Sequence, residues 1–328
     1  MRIFSGIQPT GQKHLGNYSG GFRQYAATQE RGDAFFCIVD LHSITVAFDP
    51  DDLRTRTLDL AAMLFATGLD PERSTVFCQS HVTAHAEAAW LLASVTSYGQ
   101  LGRMTQFKDK GERQEFVSAG LFTYPVLMAG DILLYQTDIV PVGDDQRQHI
   151  ELTRDVAERF NQRFGQTFTV PEGVFPEQGA RIKNLQEPER QMSTTAGAEQ
   201  GVIRLVDSPD VVRRKFKSAV TDSGREIQYA PEAKPGISNL IEIMAVATGD
   251  SIADIEARYD GQGYGAFKEA VGEAVVALVA PIQERYRELR DDEAELHRLL
   301  AIGADKAREA SAPTLAAMYD RMGFVRLD

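Results

Sequence analysis

The sequence predicts an α/β fold: a doubly wound parallel sheet with helices on both faces, joined to a smaller helical domain. Three observations carry this. Short apolar runs alternate with amphipathic stretches through the first half of the chain, the order that produces a parallel sheet covered by helices. One run, Ala34 to Val39, is apolar without interruption, as a strand buried on both faces must be. Beyond about Leu185 the strand signal fades, and from Ser238 onward the pattern is almost wholly helical. At 328 residues, 43% hydrophobic and 25% charged, the chain has the length for two domains and an ordinary globular composition.

Each element has a local reason. Ile3-Phe4 opens the first strand and leads through a glycine-containing turn into an amphipathic stretch from Tyr18 to Glu30. Asp49-Pro50-Asp51-Asp52 starts a helix, with Asp49 as N-cap, Pro50 at the first position and acids in the first turn. Its apolar face is Leu53, Leu60, Leu64 and Phe65, and Gly68 is placed to end it. Ser74 to Cys78 is a strand, Ala84 to Tyr98 is helical, and Ile139-Val140-Pro141-Val142 is a short strand feeding a helix that runs to about Phe160. Ser208-Pro209-Asp210 starts another helix, continued by Val211 to Val220. In the last third, breaks are expected at Gly249, at Gly261-Gln262-Gly263, at Pro281 and near Gly303. No repeat of solenoid length is present.

Composition excludes several classes. The balance of apolar and charged residues argues against disorder and low-complexity arrays. With 35 basic against 47 acidic side chains the net charge is −12, so a nucleic-acid partner requires a local basic patch. The two cysteines, Cys37 and Cys78, sit in apolar runs, as buried small hydrophobes do. They are too few and too far apart for a zinc site, so no protein-bound zinc and no other metal ligand set is expected. Nothing suggests a disulfide framework. The apolar start breaks at Ser5-Gly6, unlike a signal peptide. The longest apolar stretches, such as Ala274 to Ala280, fall far short of a membrane span. The expectation is a cytoplasmic protein without a membrane partner.

Three segments carry chemistry. Ser5-Gly6-Ile7-Gln8-Pro9-Thr10-Gly11, followed by His14-Leu15-Gly16-Asn17, lies between the first strand and the first long helix. Ligands of parallel sheets bind where strand ends feed helix N-termini, whose free N–H groups suit phosphate. By its glycines alone this is only a turn, since neither a dinucleotide fingerprint nor a P-loop is present. The second segment, Thr123 to Tyr135, is a buried helix in which Tyr124, Met128, Asp131 and Tyr135 share a face. A lone buried carboxylate requires a partner: either an arginine from a neighbouring helix, or a ligand N–H with Tyr124 and Met128 as apolar walls. The third, Val140-Pro141-Val142-Gly143-Asp144-Asp145-Gln146, is again a strand end before a helix and belongs on the same rim. Its acids accept from ribose hydroxyls, help hold magnesium, or merely suit a helix start.

Together these segments resemble bacterial tryptophanyl-tRNA synthetases. The run from Ser5 through Asn17 resembles that family's first signature, the HIGH motif. Met104-Thr105-Gln106-Phe107-Lys108, the Tyr124 to Tyr135 helix, Pro141 to Gln146, Lys217-Ser218-Ala219-Val220-Thr221-Asp222-Ser223 and Lys234-Pro235-Gly236-Ile237-Ser238-Asn239-Leu240 are similar to the family in the same order. The resemblance covers almost the whole chain. It implies a class I aminoacyl-tRNA synthetase. Residues 1–185 would be a Rossmann-type catalytic domain with a dimer-forming insertion, residues 186–286 a helical anticodon-binding domain, and residues 287–328 a C-terminal helical tail. It further implies a homodimer, with L-tryptophan, ATP accompanied by Mg2+, and tRNA(Trp) as substrates.

Carried over by position, the resemblance makes Asp131 the acceptor for the indole N–H. Phe4, Gly6, His42, Tyr124, Met128, Val140 and Val142 line the same pocket, and Gln8 and Gln146 hold the amino-acid ammonium and carboxylate. Gln8, Pro9, Thr10, His14, Gly16, Asn17, Gly143, Asp144, Asp145 and Ile182 contact ATP, with the second signature, KMSKS. That signature falls at Gln191-Met192-Ser193-Thr194-Thr195, where both lysines are absent and no lysine occurs between Lys183 and Lys215. The loop retains backbone N–H and hydroxyl donors for phosphate but lacks cations to offset charge on departing pyrophosphate. Lys110, in the polar run Lys108-Asp109-Lys110-Gly111, is the first candidate for a compensating cation; Lys13 and Arg190 are second choices. For tRNA, the basic strip Arg213-Arg214-Lys215-Phe216-Lys217 is the expected phosphate contact, against a reading as a solvated charged face. Two other functions stay open on sequence: a non-catalytic paralogue that binds tryptophan or tRNA as a sensor, and a tyrosine-specific class I synthetase.

Overall fold

A computed structural model describes residues 1–107, 116–175, 182–193 and 197–325. Five strands form one sheet: β1 Arg2–Ile7, β2 Asp33–Ile38, β3 Ser74–Cys78, β4 Ile139–Pro141 and β5 Glu172–Val174, in the spatial order β3-β2-β1-β4-β5. Every pairing is parallel. The chain winds outward from β1 to β3, then returns to the other side of β1 for β4 and β5. The winding therefore reverses between β1 and β4, the position at which such sheets bind ligands.

Ala34 to Ile38 of β2 are all buried, and alternate residues enter different cores. Ala34, Phe36 and Ile38 join one apolar cluster, while Phe35 and Cys37 join the other. This is the two-residue side-chain period of a strand covered on both faces. β5, only three residues long, gave no sequence signal of its own.

The helices in the sheet half are α1 Leu15–Asn17, α2 Arg23–Thr28, α3 Asp40–Ser43, α4 Pro50–Ala66, α5 Ala84–Ala93, α6 Tyr98–Leu101, α7 Ala119–Leu133 and α8 Arg147–Phe164. The Asp49 carboxylate caps α4 by accepting from the Asp51 and Asp52 amides at 3.0 Å each, as expected. Of the expected apolar face, Leu60, Leu64 and Phe65 are buried and Leu53 is half-buried. The amphipathic stretch from Tyr18 to Glu30 opens as a π-helical turn, Tyr18–Phe22, between α1 and α2. Such turns are rare and cluster at functional sites.

The helical half contains α9 Pro209–Lys217, α10 Pro235–Thr248, α11 Ile252–Tyr259, α12 Tyr264–Asp291 and α13 Glu293–Met322. Gly249 ends α10 in the left-handed region at φ 80°. Neither Pro281 nor Gly303 breaks a helix: α12 runs through Pro281, and across the expected boundary at 286, and α13 runs through both Gly303 and Pro313. One missing N–H costs a long, well-packed helix a single hydrogen bond. Gly303 serves close approach rather than termination. A Cβ there would overlap the Val76 carbonyl of β3, so α13 lies directly on the sheet edge and covers it.

Candidate active site

The carboxyl ends of β1 and β4 open onto a cavity of about 500 Å³. β1 and its loop contribute Phe4, Gly6 and Gln8, and β4 with its loop contributes Val140, Val142 and Gln146. Tyr124, Met128 and Asp131 come from α7, and His42 from α3. All ten residues matched to the amino-acid pocket thus line one cavity. Val39, Thr45, Gln106, Ile132 and Asp145 line it as well.

Asp131 is only 1% exposed, and among the described residues no arginine bonds to it. His42 Nε2 lies 2.8 Å from Oδ2, while Gln79 Nε2 and His85 Nδ1 each lie 2.6 Å from Oδ1. Burial pushes the carboxyl pKa up, but hydrogen bonds from His42 and His85 outweigh it and bring the value down to about 2. A carboxylate has about four acceptor positions. Among the described residues three are taken, and the remaining one is on Oδ2. Gln79 and His85 were not identified from sequence. The signal was available: a glutamine ending a strand, and a histidine in the apolar run Ala84-His85-Ala86.

Tyr124 closes another side. Its hydroxyl lies 2.8 Å from His149 Nε2 and donates to Gln106 Oε1 at 3.2 Å. Burial and the Asp145 charge push its pKa up to about 12, so the phenol keeps its proton. Asp145 accepts from Gln146 Nε2 at 2.6 Å and Gln106 Nε2 at 3.4 Å. Asp144 pairs with Arg147 at 3.1 Å.

The loop after β1 is braced from within. Lys13 Nζ donates to the Gln8 and Thr10 carbonyls at 3.0 Å each, and burial lowers its pKa to about 8. Lys13 is therefore a strut of the loop rather than an available phosphate cation. Gln8 and Thr10 are exposed and Pro9 is buried. The His14 amide donates to Asn17 Oδ1 at 3.0 Å. Burial first, then the Lys13 charge, lower the His14 pKa to about 4; the ring is neutral at pH 7. Leu15 N donates to Ile203 O at 2.8 Å and Leu205 N to Lys13 O at 3.0 Å, fastening the first signature to the segment before α9.

The second signature comes to the first. Met192 is buried, its amide donates to Ile182 O at 3.0 Å, and its Cβ lies 3.7 Å from where a Cβ on Gly16 would stand. Gln191 is exposed and bridged to Lys183, and Ser193 is half-buried. Thr194, Thr195 and Lys110 lie outside the described residues. Arg190 pairs with Glu187 at 3.3 Å. Among the described residues, no group of three or more His, Cys, Asp or Glu side chains is placed to hold a metal ion, and no helix is long and apolar enough to cross a membrane.

The expected basic strip on α9 is corrected by the structure. Lys215 is 8% exposed; its ammonium donates to Val202 O and Asp207 Oδ2, both at 2.7 Å. The reason is helical spacing: Lys215 shares the core-facing side with Val212 and Phe216. Arg213 is held by Glu273 at 2.6 and 3.1 Å and by Asp210 at 3.2 Å. Arg214 and Lys217 remain exposed.

Comparison with known proteins gives the family and the fold. The family described as tRNA synthetases class I (W and Y) matches residues 1–280. The chain is 52% identical over 328 residues to the tryptophan–tRNA ligase of Leifsonia xyli, covering 99% of this chain and 97% of that one. It is 54% identical over 327 residues to tryptophan–tRNA ligase 2 of Streptomyces avermitilis, with the same coverage. Among solved structures, tryptophanyl-tRNA synthetase from Mycoplasma pneumoniae superposes with a TM-score of 0.87 at 37% identity, covering 99% and 98% of the two chains. The Campylobacter jejuni synthetase in complex with ADP and tryptophan gives a TM-score of 0.87 at 35% identity, covering 99% and 100%.

Proposed function

The chain belongs to the class I tRNA synthetases for tryptophan and tyrosine and acts as a tryptophan–tRNA ligase; on that premise we propose that the cavity at Asp131 takes the tryptophan side chain and the loops after β1 and β4 take ATP. The observation that supports this reading is the buried Asp131 carboxylate, with one acceptor position unfilled beside a 500 Å³ cavity. The indole N–H fills that position, between Tyr124, Met128 and the valines. Gln8 and Gln146, at the mouth, orient the ammonium and carboxylate.

The tryptophan carboxylate oxygen attacks the α-phosphorus of ATP. The bond from that phosphorus to the bridging oxygen breaks, giving tryptophanyl-adenylate and pyrophosphate. A terminal ribose hydroxyl of tRNA(Trp) then attacks the adenylate carbonyl and releases AMP. No protein nucleophile takes part, so rate comes from positioning and from charge stabilisation. Magnesium enters with ATP, held mainly by its phosphates. Neutral His14, Gly16 and Asn17 face the phosphates from one side. Gly143, Asp144 and Asp145 serve the ribose, and Met192 of the second signature lies across from Gly16.

The protein works as a cytoplasmic homodimer, a reading supported by exposed Trp90, Tyr98 and Phe116. The helical half that begins at residue 186 takes the anticodon. Tryptophan-dependent exchange of pyrophosphate into ATP tests the activation step and the tryptophan and ATP sites. Exchange with tryptophan and not with tyrosine is expected, and Lys110→Ala should slow it roughly 10²-fold if Lys110 replaces the missing lysines. Tryptophan binding with no exchange at all would make the chain a sensor, a reading whose one support is the absence of both lysines from the Gln191–Thr195 signature.

A further inference from the structure

We propose that His85, fixed in turn by Tyr135, is a positioning residue for tryptophan selection: it aims the free acceptor position of Asp131 into the cavity. The proposal rests on the assignment of Asp131 to the indole N–H. Neither His85 nor Tyr135 lines the cavity, so any effect they have on the substrate passes through Asp131.

The geometry is specific. A carboxylate can turn about its terminal torsion and present either oxygen. Here Oδ1 is held by two donors, Gln79 Nε2 and His85 Nδ1, both at 2.6 Å. Turning Oδ1 into the cavity breaks both bonds, so Oδ2 is the oxygen presented. His85 Nδ1 faces an ionised carboxylate, which only accepts, and must carry a proton. Its Nε2 lies 2.9 Å from the Tyr135 hydroxyl. A neutral ring protonated on Nδ1 uses both nitrogens, with Tyr135 O–H donating to Nε2. Tyr135 therefore sets the tautomer that makes His85 a donor to Asp131, the arrangement by which a second partner fixes an imidazole's role.

Tyr135 has little freedom to do otherwise. It is fully buried, stacked with Phe4 at 5.6 Å and Phe35 at 4.6 Å between centroids, and set edge-on to Phe77 at 5.8 Å. Burial pushes its pKa far above the usual phenol value, so the donor proton stays in place. Phe4 lines the cavity and stacks on Tyr135, which makes the aim of Asp131 and the shape of the pocket one packed unit.

The test uses the full-length protein. Pyrophosphate exchange is measured with tryptophan and with the analogue carrying sulfur in place of the indole N–H, for His85→Leu, His85→Asn, Tyr135→Phe and Asp131→Asn. Losing one donor to a charged acceptor should cut the preference for tryptophan about 10- to 100-fold in His85→Leu, carried by the KM for tryptophan, with the KM for ATP unchanged. His85→Asn places an amide donor near the former Nδ1 and should restore the preference to within about threefold of the parent, while Tyr135→Phe, which frees the tautomer, should cost about fivefold. If His85→Leu does not fold, the Asn and Tyr135→Phe variants carry the test. A merely structural role lowers kcat and thermal stability and leaves the ratio of the two substrates alone; that result overturns the proposal. If Asp131→Asn keeps the parent preference, the assignment of Asp131 itself has failed. If Asp131→Asn loses it while His85→Leu and Tyr135→Phe keep it, only the positioning role has failed.

Discussion

Asp131 in the sheet half and Lys215 in the helical half are both buried charged side chains, 1% and 8% exposed, and they are satisfied in different ways. Lys215 has a carboxylate and a carbonyl, each at 2.7 Å. Asp131 has an amide and two imidazoles at 2.6 to 2.8 Å, and no Lys or Arg among the described residues bonds to it. Removing an ion from water costs several kcal/mol, which an opposite charge offsets only with good geometry. The Lys215–Asp207 pair spends its charge internally and joins α9 to the loop before it. Asp131 is held ionised by directed donors and keeps one acceptor position beside a cavity. A buried charge matched by its opposite is closed, whereas one matched by dipoles at a cavity wall can still bind.

The largest expected effect attacks the open charge. A site built to bond an N–H rejects analogues lacking it by roughly 10⁴-fold, because its acceptor is otherwise left unpaired. Asp131→Ala should therefore lose discrimination of tryptophan from phenylalanine by about that factor in pyrophosphate exchange. ATP binding, followed by nucleotide titration, should survive. A variant that discriminates like the parent would show that Asp131 is as closed as Lys215.

The closed charge should answer to a different measurement. Lys215→Met leaves the Asp207 carboxylate, 11% exposed, without its cation, and should cost about 3–5 kcal/mol of stability in a denaturant melt. Adding Asp207→Asn should recover most of that, since a neutral amide oxygen can still accept from the Arg204 amide, now 3.0 Å away. The KM for tryptophan should not move in either variant. A shift in that KM with stability unchanged would mean the helical half reports on the pocket.

The two regions also differed in how much the sequence disclosed. Strong local signals survived folding: the Asp49-Pro50 helix start, the doubly buried run at Ala34, and the placement of the Gln8 and Gly143 loops on one rim all follow from adjacent residues. The ten pocket residues came together because the motif matches bind position to role. What was missed depends on partners outside the residue's own local run. Gln79 and His85 become donors only because the turn after β3 and helix α5 pack against α7, 52 and 46 residues from Asp131. Lys215 looked like an exposed cation because its carboxylate partner, Asp207, lies one loop away. Gly303 looked like a stop because local propensity cannot see the β3 carbonyl that occupies the space of its missing Cβ.

His14 offers a smaller, pH-dependent contrast with Asp131. Its folded pKa, about 4, is below its ordinary 6.5, so as pH falls the unfolded chain takes the proton first. Its contribution is fully present above pH 6.5 and is lost as pH falls through 6.5 toward 4, on the order of 3 kcal/mol in all. Asp131, lowered to about 2 from 3.8, loses its contribution only below that window. Urea melts at pH 7, 5.5 and 4.5 should show a steeper decline for the parent than for His14→Asn, which cannot titrate. Parallel declines would assign the acid sensitivity elsewhere.

The smallest effect concerns tRNA, and the corrected strip narrows it. With Lys215 buried and Arg213 committed to Glu273 and Asp210, Arg214 and Lys217 are the exposed cations left on α9. Each phosphate contact contributes about 0.7 to 0.9 to the slope of log affinity against log salt. If both contact tRNA, Arg214→Ala with Lys217→Ala should flatten the slope by about 1.4 to 1.8 and leave tryptophan activation unchanged. Lys215→Met, measured in parallel below its melting range, should leave the slope as it is, because its charge is already neutralised inside the protein. Equal slopes in the parent and the double variant would place the phosphate contacts on another face. A slope change in Lys215→Met alone would mean that the ammonium leaves Asp207 when tRNA binds, so that the buried charge in the helical half is open to a ligand after all.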